Sequence, residues 1–147
     1  MQQNNFNRFT VLIGKLYKQI QRLKTEGMKQ YGLKGAHVSI LHTLAGRNDG
    51  LTFQEICSGC DLDRSLVSRE LKDLTQRGYI KKDSTTGVYN AKYFTTTKAE
   101  KILPEFMEII DQAQKKATKN ISPEELITFY RVLEKLRKNL EETTINE

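Results

Sequence analysis

The chain has 147 residues, of which 29% are charged and 37% hydrophobic, with a net charge of +6, two cysteines and no tryptophan. This length suits one compact core and is too short for two ordinary domains, while the cysteine count excludes a disulfide-stapled secreted scaffold. The opening MQQNNFNRFT lacks the basic-then-apolar order of a signal peptide, and no window approaches the roughly 20 apolar residues of a membrane span, so a cytoplasmic protein with no membrane partner is expected.

In the first segment Phe6, Phe9, Ile13, Leu16, Ile20 and Leu23 recur at steps of three and four, which predicts an amphipathic helix from about Asn7 to Gln30. AHVSILHTLAG then puts Val38, Leu41 and Leu44 on one stripe and is closed by Gly46 before the turn RNDG. TFQEICSGC opens with Thr52 and Glu55 in capping-box spacing, and predicts two helical turns burying Phe53, Ile56 and Cys57. A tight turn leads into DLDRSLVSRELKDLTQRG, with its recognition span about 63–77, so two short helices flank a Gly-containing turn in helix-turn-helix order.

After Gly78 the period changes to near alternation. YIKKD, the turn STTG and VYNAKYFTT predict a β-hairpin rich in Tyr, Val, Phe and Thr. A helix resumes at Lys98 and runs to near Asn120, with Pro104 tolerable in its first turn or at a bend. The last helix starts at SPEE, where Ser122 caps, Pro123 takes the first helical position and Glu125 completes the box. Leu126, Phe129, Val132, Leu133, Leu136 and Leu140 follow on one stripe.

The fold expected is therefore mainly α: one domain over 1–147, with a winged helix-turn-helix (three short helices plus a β-hairpin wing) at about 35–98. Terminal helices flank it at about 7–30 and 99–142. Their apolar stripes exceed what one small module covers, so a second copy of the chain is expected to cover them, making these the dimerisation helices.

Placing Val67 at 0° and advancing about 100° per residue puts Leu71 and Leu74 on the core side of the 63–77 helix. Ser65, Arg69 and Lys72 fall on the opposite side, with Ser68 and Leu66 flanking them and Arg64 nearer the core margin. Short hydroxyls permit close backbone approach, an Arg can bridge guanine O6 and N7, and a Leu can meet a thymine methyl, which are the needs of a helix in the major groove. Charge agrees: residues 1–60 carry 8 basic and 3 acidic side chains, 61–98 carry 8 and 5, and 99–147 carry 8 and 10. A surplus ahead of the last third suits double-stranded DNA, although it is also what a solvated surface looks like.

At these residues the sequence resembles the MarR family of bacterial transcriptional regulators. LTFQEICSGCDLDRSLVSRELKDLTQRGYIKK looks like the family's helix-turn-helix, TTTKAEKI like the stretch after its wing, and SPEELITFYRVLEKLRKNL like its last helix. The resemblance implies an obligate homodimer joined by the first and last helices, a palindromic operator, ligand or redox control, and by family habit a repressor. One departure stands out. Relatives commonly carry Asp-x-Arg in the wing, whereas STTGVYNAKY has no Arg, leaving Lys81, Lys82, Asn90 and Lys92 as the DNA-facing candidates there.

Three other constellations carry weaker signals. CSGC is a C-x-x-C, but Phe53, Ile56, Cys57 and Cys60 fall at i, i+3, i+4 and i+7, so Cys57 and Cys60 read as small core residues first and as a thiol sensor second. Two further zinc ligands are missing, since His37 and His42 are five apart, so no metal is expected. Tyr17 and His42 sit beside apolar stripes and are candidates for a small-molecule effector pocket, or simply core groups with a hydrogen bond. No Gly-rich phosphate loop, Ser-His-carboxylate pattern or acidic metal cluster is present, so no cofactor and no enzyme activity are expected. A winged helix serving as a protein-binding module without specific DNA contact is the rival reading.

Overall fold

Six α-helices, a short 3-10 turn and a three-stranded antiparallel sheet make up the described residues, 2–85 and 87–143, of the computed structural model. The order is α1 (Gln2–Gly27), the 3-10 turn (Lys29–Tyr31), α2 (Gly35–Leu44), β1 (Leu51–Thr52), α3 (Phe53–Gly59), α4 (Arg64–Gln76), β2 (Ile80–Asp83), β3 (Lys92–Thr95), α5 (Thr97–Ala117) and α6 (Pro123–Glu141). Backbone packing divides the chain into two compact units, Met1–Asp111 and Gln112–Glu147. Thr86, part of the expected STTG turn, lies outside the described residues.

The core of the first unit is built by α2, α3, α4, β2 and the start of α5. Val38, Ile40, Leu41, Leu44, Ile56, Val67, Leu71, Leu74, Ile80, Ala99, Ile102 and Phe106 are buried in one cluster. Val67, Leu71 and Leu74 form the inner seam of α4, as their three- and four-residue spacing requires. Truncating Leu71 to Ala would cost about 2–5 kcal/mol through lost transfer energy and an unfilled cavity.

The helix ends follow from local chemistry. Asp63 caps α4 by accepting from Leu66 N at 2.8 Å, and Gly78 (φ +76°) takes the left-handed conformation that turns the chain into β2. Thr52 accepts from Glu55 N at 3.3 Å while Thr52 N donates to Glu55 Oε2 at 2.7 Å, completing the capping box of α3. Ser122 and Glu125 do the same for α6, with Pro123 in the first turn.

β2 and β3 pair from Ile80↔Thr95 to Asp83↔Lys92, and β1 adds to β3 at Leu51↔Tyr93 and Thr52↔Lys92. β1 was not legible in sequence because two residues show no alternation. The wing is anchored to the end of α4: Thr96 Oγ1 donates to Gly78 O at 2.6 Å, and Lys98 Nζ donates to Arg77 O at 2.6 Å while lying over the Tyr79 ring. α4 and the hairpin behind it are thus fastened together.

Several boundaries differ from expectation. α1 begins at Gln2 rather than about Asn7, since its polar first turn carries no apolar periodicity, and it ends at Gly27 with the 3-10 turn replacing its last residues. α5 stops at Ala117 rather than near Asn120, which adopts φ +63°. Pro104 lies inside α5, past the first turn, so the Glu100 carbonyl loses its i+4 donor. In α3 only Ile56 is fully buried. Phe53 and Cys57 are half-buried against the core, because α3 is a two-turn helix at its edge and Arg64 covers the Phe53 ring at 5.0 Å. No described helix is long and apolar enough to cross a membrane.

Candidate nucleic-acid interface

α4 carries the expected outward row on a rigid base. Ser65, Ser68, Arg69 and Lys72 are exposed and Leu66 is half-exposed, while the other side of the helix is closed against the core. The Ser65 hydroxyl donates to Asp63 Oδ1 at 3.1 Å, tying it to the cap. Arg64, though exposed, bonds Gln54 of α3 and stacks on Phe53, so it faces the neighbouring helix rather than the row.

Ser68 and Lys72 share an open groove of about 350 Å³ with Thr75, Gln76, Lys82 and Tyr93, between α4 and the hairpin. The other wing candidates are separated from it. Alternation along β2 sends Lys81 to the opposite face from Lys82, where its ammonium lies 5.8 Å from the Phe94 ring centre. Lys92 Nζ donates to Asp49 O at 3.1 Å, toward the turn before β1. Asn90 is exposed near the hairpin tip, beside Val88 and Tyr89, which are 78% and 99% exposed. Of the four basic or amide wing candidates, only Lys82 joins the α4 row.

A charged network that residue spacing did not reveal lies behind Arg69. Glu70, 4% exposed, and Asp73 reach His37 of α2, which is fully buried: His37 Nε2 is 2.7 Å from Glu70 Oε2 and 2.8 Å from Asp73 Oδ2. Lys34 N donates to His37 Nδ1 at 3.1 Å, so the ring proton sits on Nε2, although it is aligned squarely with neither oxygen. On the outer side Arg69 Nε lies 3.2 Å from Glu70 Oε1 and Arg77 Nε lies 2.8 Å from Asp73 Oδ2. Burial holds the imidazole pKa below its usual range against the pull of the two carboxylates.

Three ligand-type atoms of His37, Glu70 and Asp73 fall within 4.8 Å of one another. A metal on Nε2 would need the proton on Nδ1, but Nδ1 already accepts one from the backbone, so the tautomer does not suit coordination. The spacing of His37 to His42 could not reveal the cluster, because its partners lie on another helix. The readable signal is Glu70 itself, an acid at about 300° on the helix wheel, on the flank of the apolar seam.

The comparisons with known proteins fall on the same segment. A family model described as MarR family matches residues 31–87. That stretch holds α2 to β2, the winged-helix segment, so the likeness to the MarR family falls on the helix-turn-helix and the start of the wing. No curated protein matches the chain. Among solved structures, a MarR/EmrR family transcriptional regulator from Acinetobacter sp. ADP1 superposes with TM-score 0.79 at 17% identity, covering 97% of this chain and 98% of that one. The S. aureus MepR-DNA complex gives TM-score 0.80 at 20% identity over 90% and 96%. The transcriptional regulator SlyA gives 0.78 at 19% over 91% and 94%. These likenesses show that the chain shares the fold of those regulators.

Within the first unit, Tyr17 and His42 line one cavity of about 510 Å³. Ile20, Phe106 and Ile110 supply its apolar wall and Lys24, Asp61 and Cys60 its polar edge. The His42 ring meets Phe106 edge-on at 5.9 Å. Burial, followed by the nearby Asp61 carboxylate, pushes the Tyr17 phenol pKa upward. Gln21 Nε2 donates to Asp61 Oδ2 at 2.7 Å and Lys24 Nζ donates to Ser39 Oγ at 3.0 Å, so α1 holds both the turn before α4 and the middle of α2.

Cys57 and Cys60 are free, half-buried thiols packed against the core. Burial pushes the Cys60 thiol pKa up, which disfavours the reactive thiolate.

Proposed function

We propose that this chain is a sequence-specific DNA-binding transcriptional regulator, a repressor that acts in the cytoplasm as a homodimer on a palindromic operator, with α4 in the major groove. The observation that carries this reading is the two-sidedness of α4: Val67, Leu71 and Leu74 are sealed in the core, while Ser65, Ser68, Arg69 and Lys72 stand exposed beside Lys82. The MarR-fold neighbour solved as a DNA complex supports it.

Pairing of two copies is supported by apolar surface on both terminal helices. In α1, Leu12, Leu16, Ile20 and Leu23 are 41–49% exposed; in α6, which buries no residue, Ile127, Phe129, Val132 and Leu140 are 44–67% exposed. The cavity at Tyr17 and His42 supports control by a small molecule with an apolar body and a polar edge. The catalytic constellations absent from the sequence give no reason to read an enzyme.

A mobility-shift titration with the DNA upstream of the chain's own gene, run at two salt concentrations, tests the reading. A preference for that fragment over shuffled DNA, with steep salt dependence, is expected. Equal, weak binding to both would favour the protein-binding module, for which the exposed Val88 and Tyr89 on a wing without Arg speak.

A further inference from the structure

We infer that Glu70, buried against His37, is a positioning residue that aims Arg69 at a base; the inference rests on α4 being the DNA-reading helix. Adjacent residues on a helix diverge by about 100° and do not ordinarily face one another, so Arg69 must fold toward its neighbour to bring Nε within 3.2 Å of Glu70 Oε1. A solvent-exposed pair of this kind would hold nothing in place. Here one partner is buried. Glu70 is 4% exposed, its second oxygen is 2.7 Å from His37 Nε2, and His37 is itself pinned through Nδ1 to the Lys34 N–H at the start of α2.

The arrangement selects one edge of the guanidinium. An Arg can offer Nε with one Nη, or both Nη groups, to a pair of acceptors. Glu70 occupies Nε, leaving the two Nη groups to face outward from a side chain that is 74% exposed, which is the end needed for two parallel bonds to guanine O6 and N7. The carboxylate is out of place by any other account. A buried acid beside a core seam is costly, and an apolar residue of similar volume would serve packing as well or better. Asp73 repeats the device at the other side of His37, where it receives Arg77.

The test compares the wild type with Glu70→Leu, Glu70→Gln, Arg69→Ala and the double variant Arg69→Ala/Glu70→Leu. Each is titrated against the DNA upstream of the gene and a shuffled fragment of equal length, with thermal melts to establish folding. Glu70→Gln is the near-isosteric variant should Glu70→Leu not fold. Its neutral amide lacks the charge that draws the guanidinium to Oε1, so it too should release Arg69. The expected result is a roughly tenfold fall in preference for the upstream fragment in both Glu70 variants, unchanged or tighter binding to shuffled DNA, and no additional fall in the double variant beyond Arg69→Ala. Preference retained by Glu70→Leu, tighter binding of it to the upstream fragment, or an equal fall in the Arg69→Ala background would each overturn the relay. So would loss of preference by the wild type on chelation with recovery on adding zinc, which would make the cluster a metal site. If the wild type itself shows no preference, the regulator reading fails and the relay falls with it, an outcome distinguishable because no variant is involved.

Discussion

Gln21 and Asp61 meet through a 2.7 Å hydrogen bond that joins the C-terminal part of α1 to the turn before α4. Lys24, one helical turn further along, lies 3.8 Å from the same carboxylate. Both contacts are partly solvated, so Asp61→Ala should cost only about 0.5–1.5 kcal/mol in a urea melt. Operator affinity should fall by more than that loss of stability explains, because the turn is freed from α1. A stability loss above about 3 kcal/mol would show that Asp61 has a buried role not visible in these contacts.

Arg69→Ala should weaken operator binding by about 1–3 kcal/mol and relax preference at one position of each half-site. Lys82→Ala and Lys72→Ala, which share the groove beside α4, should instead weaken all sequences alike and flatten the salt dependence. Competition titrations against single-base operator variants separate the two behaviours; unchanged affinity in all three would remove this face from the interface.

Deleting the chain from Ser122 onward should abolish the dimer. The apolar residues of α6 remain at least partly uncovered in a single chain, with Ile127 67% and Phe129 45% exposed, and a second copy is the expected cover. Phe129→Glu should have the same effect without shortening the chain. Sedimentation at micromolar concentration decides, and a dimer that survives both changes would place the interface elsewhere.

The buried His37 makes stability depend on pH in a specific direction. Its folded-state pKa is lowered chiefly by burial, with Arg77 and Lys34 adding to this and Glu70 and Asp73 opposing it. The unfolded chain therefore takes up a proton near pH 6.5 that the folded chain resists, and stability should decline as pH falls from about 6.5 toward the lower folded value, staying flat above about 7. A second loss should begin below about 4.5 as Asp73, Asp63 and Glu55, all with depressed pKa values, are protonated. Urea midpoints from pH 8 to 4 measure this, and in His37→Gln the first decline should disappear.

Thiol chemistry should be silent. Cys60 is half-buried with its pKa raised, so peroxide should leave operator affinity unchanged, and Cys57→Ser should cost stability by setting a hydroxyl against the core. A reversible loss of affinity on oxidation, absent in Cys57→Ala/Cys60→Ala, would establish a redox switch instead.

The repeating features were legible in the chain. Apolar spacing marked α1, α2, α4 and α6, and the box residues Thr52/Glu55 and Ser122/Glu125 marked two helix starts, because both signals act within a few residues of the backbone they control. The same wheel that buried Val67, Leu71 and Leu74 exposed Ser65, Arg69 and Lys72. Tertiary structure alone decided the rest. Whether Lys81 or Lys82 joins the α4 groove depends on strand register, and Arg64 leaves the row because α3 brings Gln54 and Phe53 beside it. Tyr17 and His42 share a cavity only because α1 and α2 pack together. His37 and Glu70 stand 33 positions apart and carry no common periodicity; only the packing of α2 on α4 brings an imidazole and a carboxylate to 2.7 Å inside the core, because burial is set by which helices meet and not by spacing along one of them.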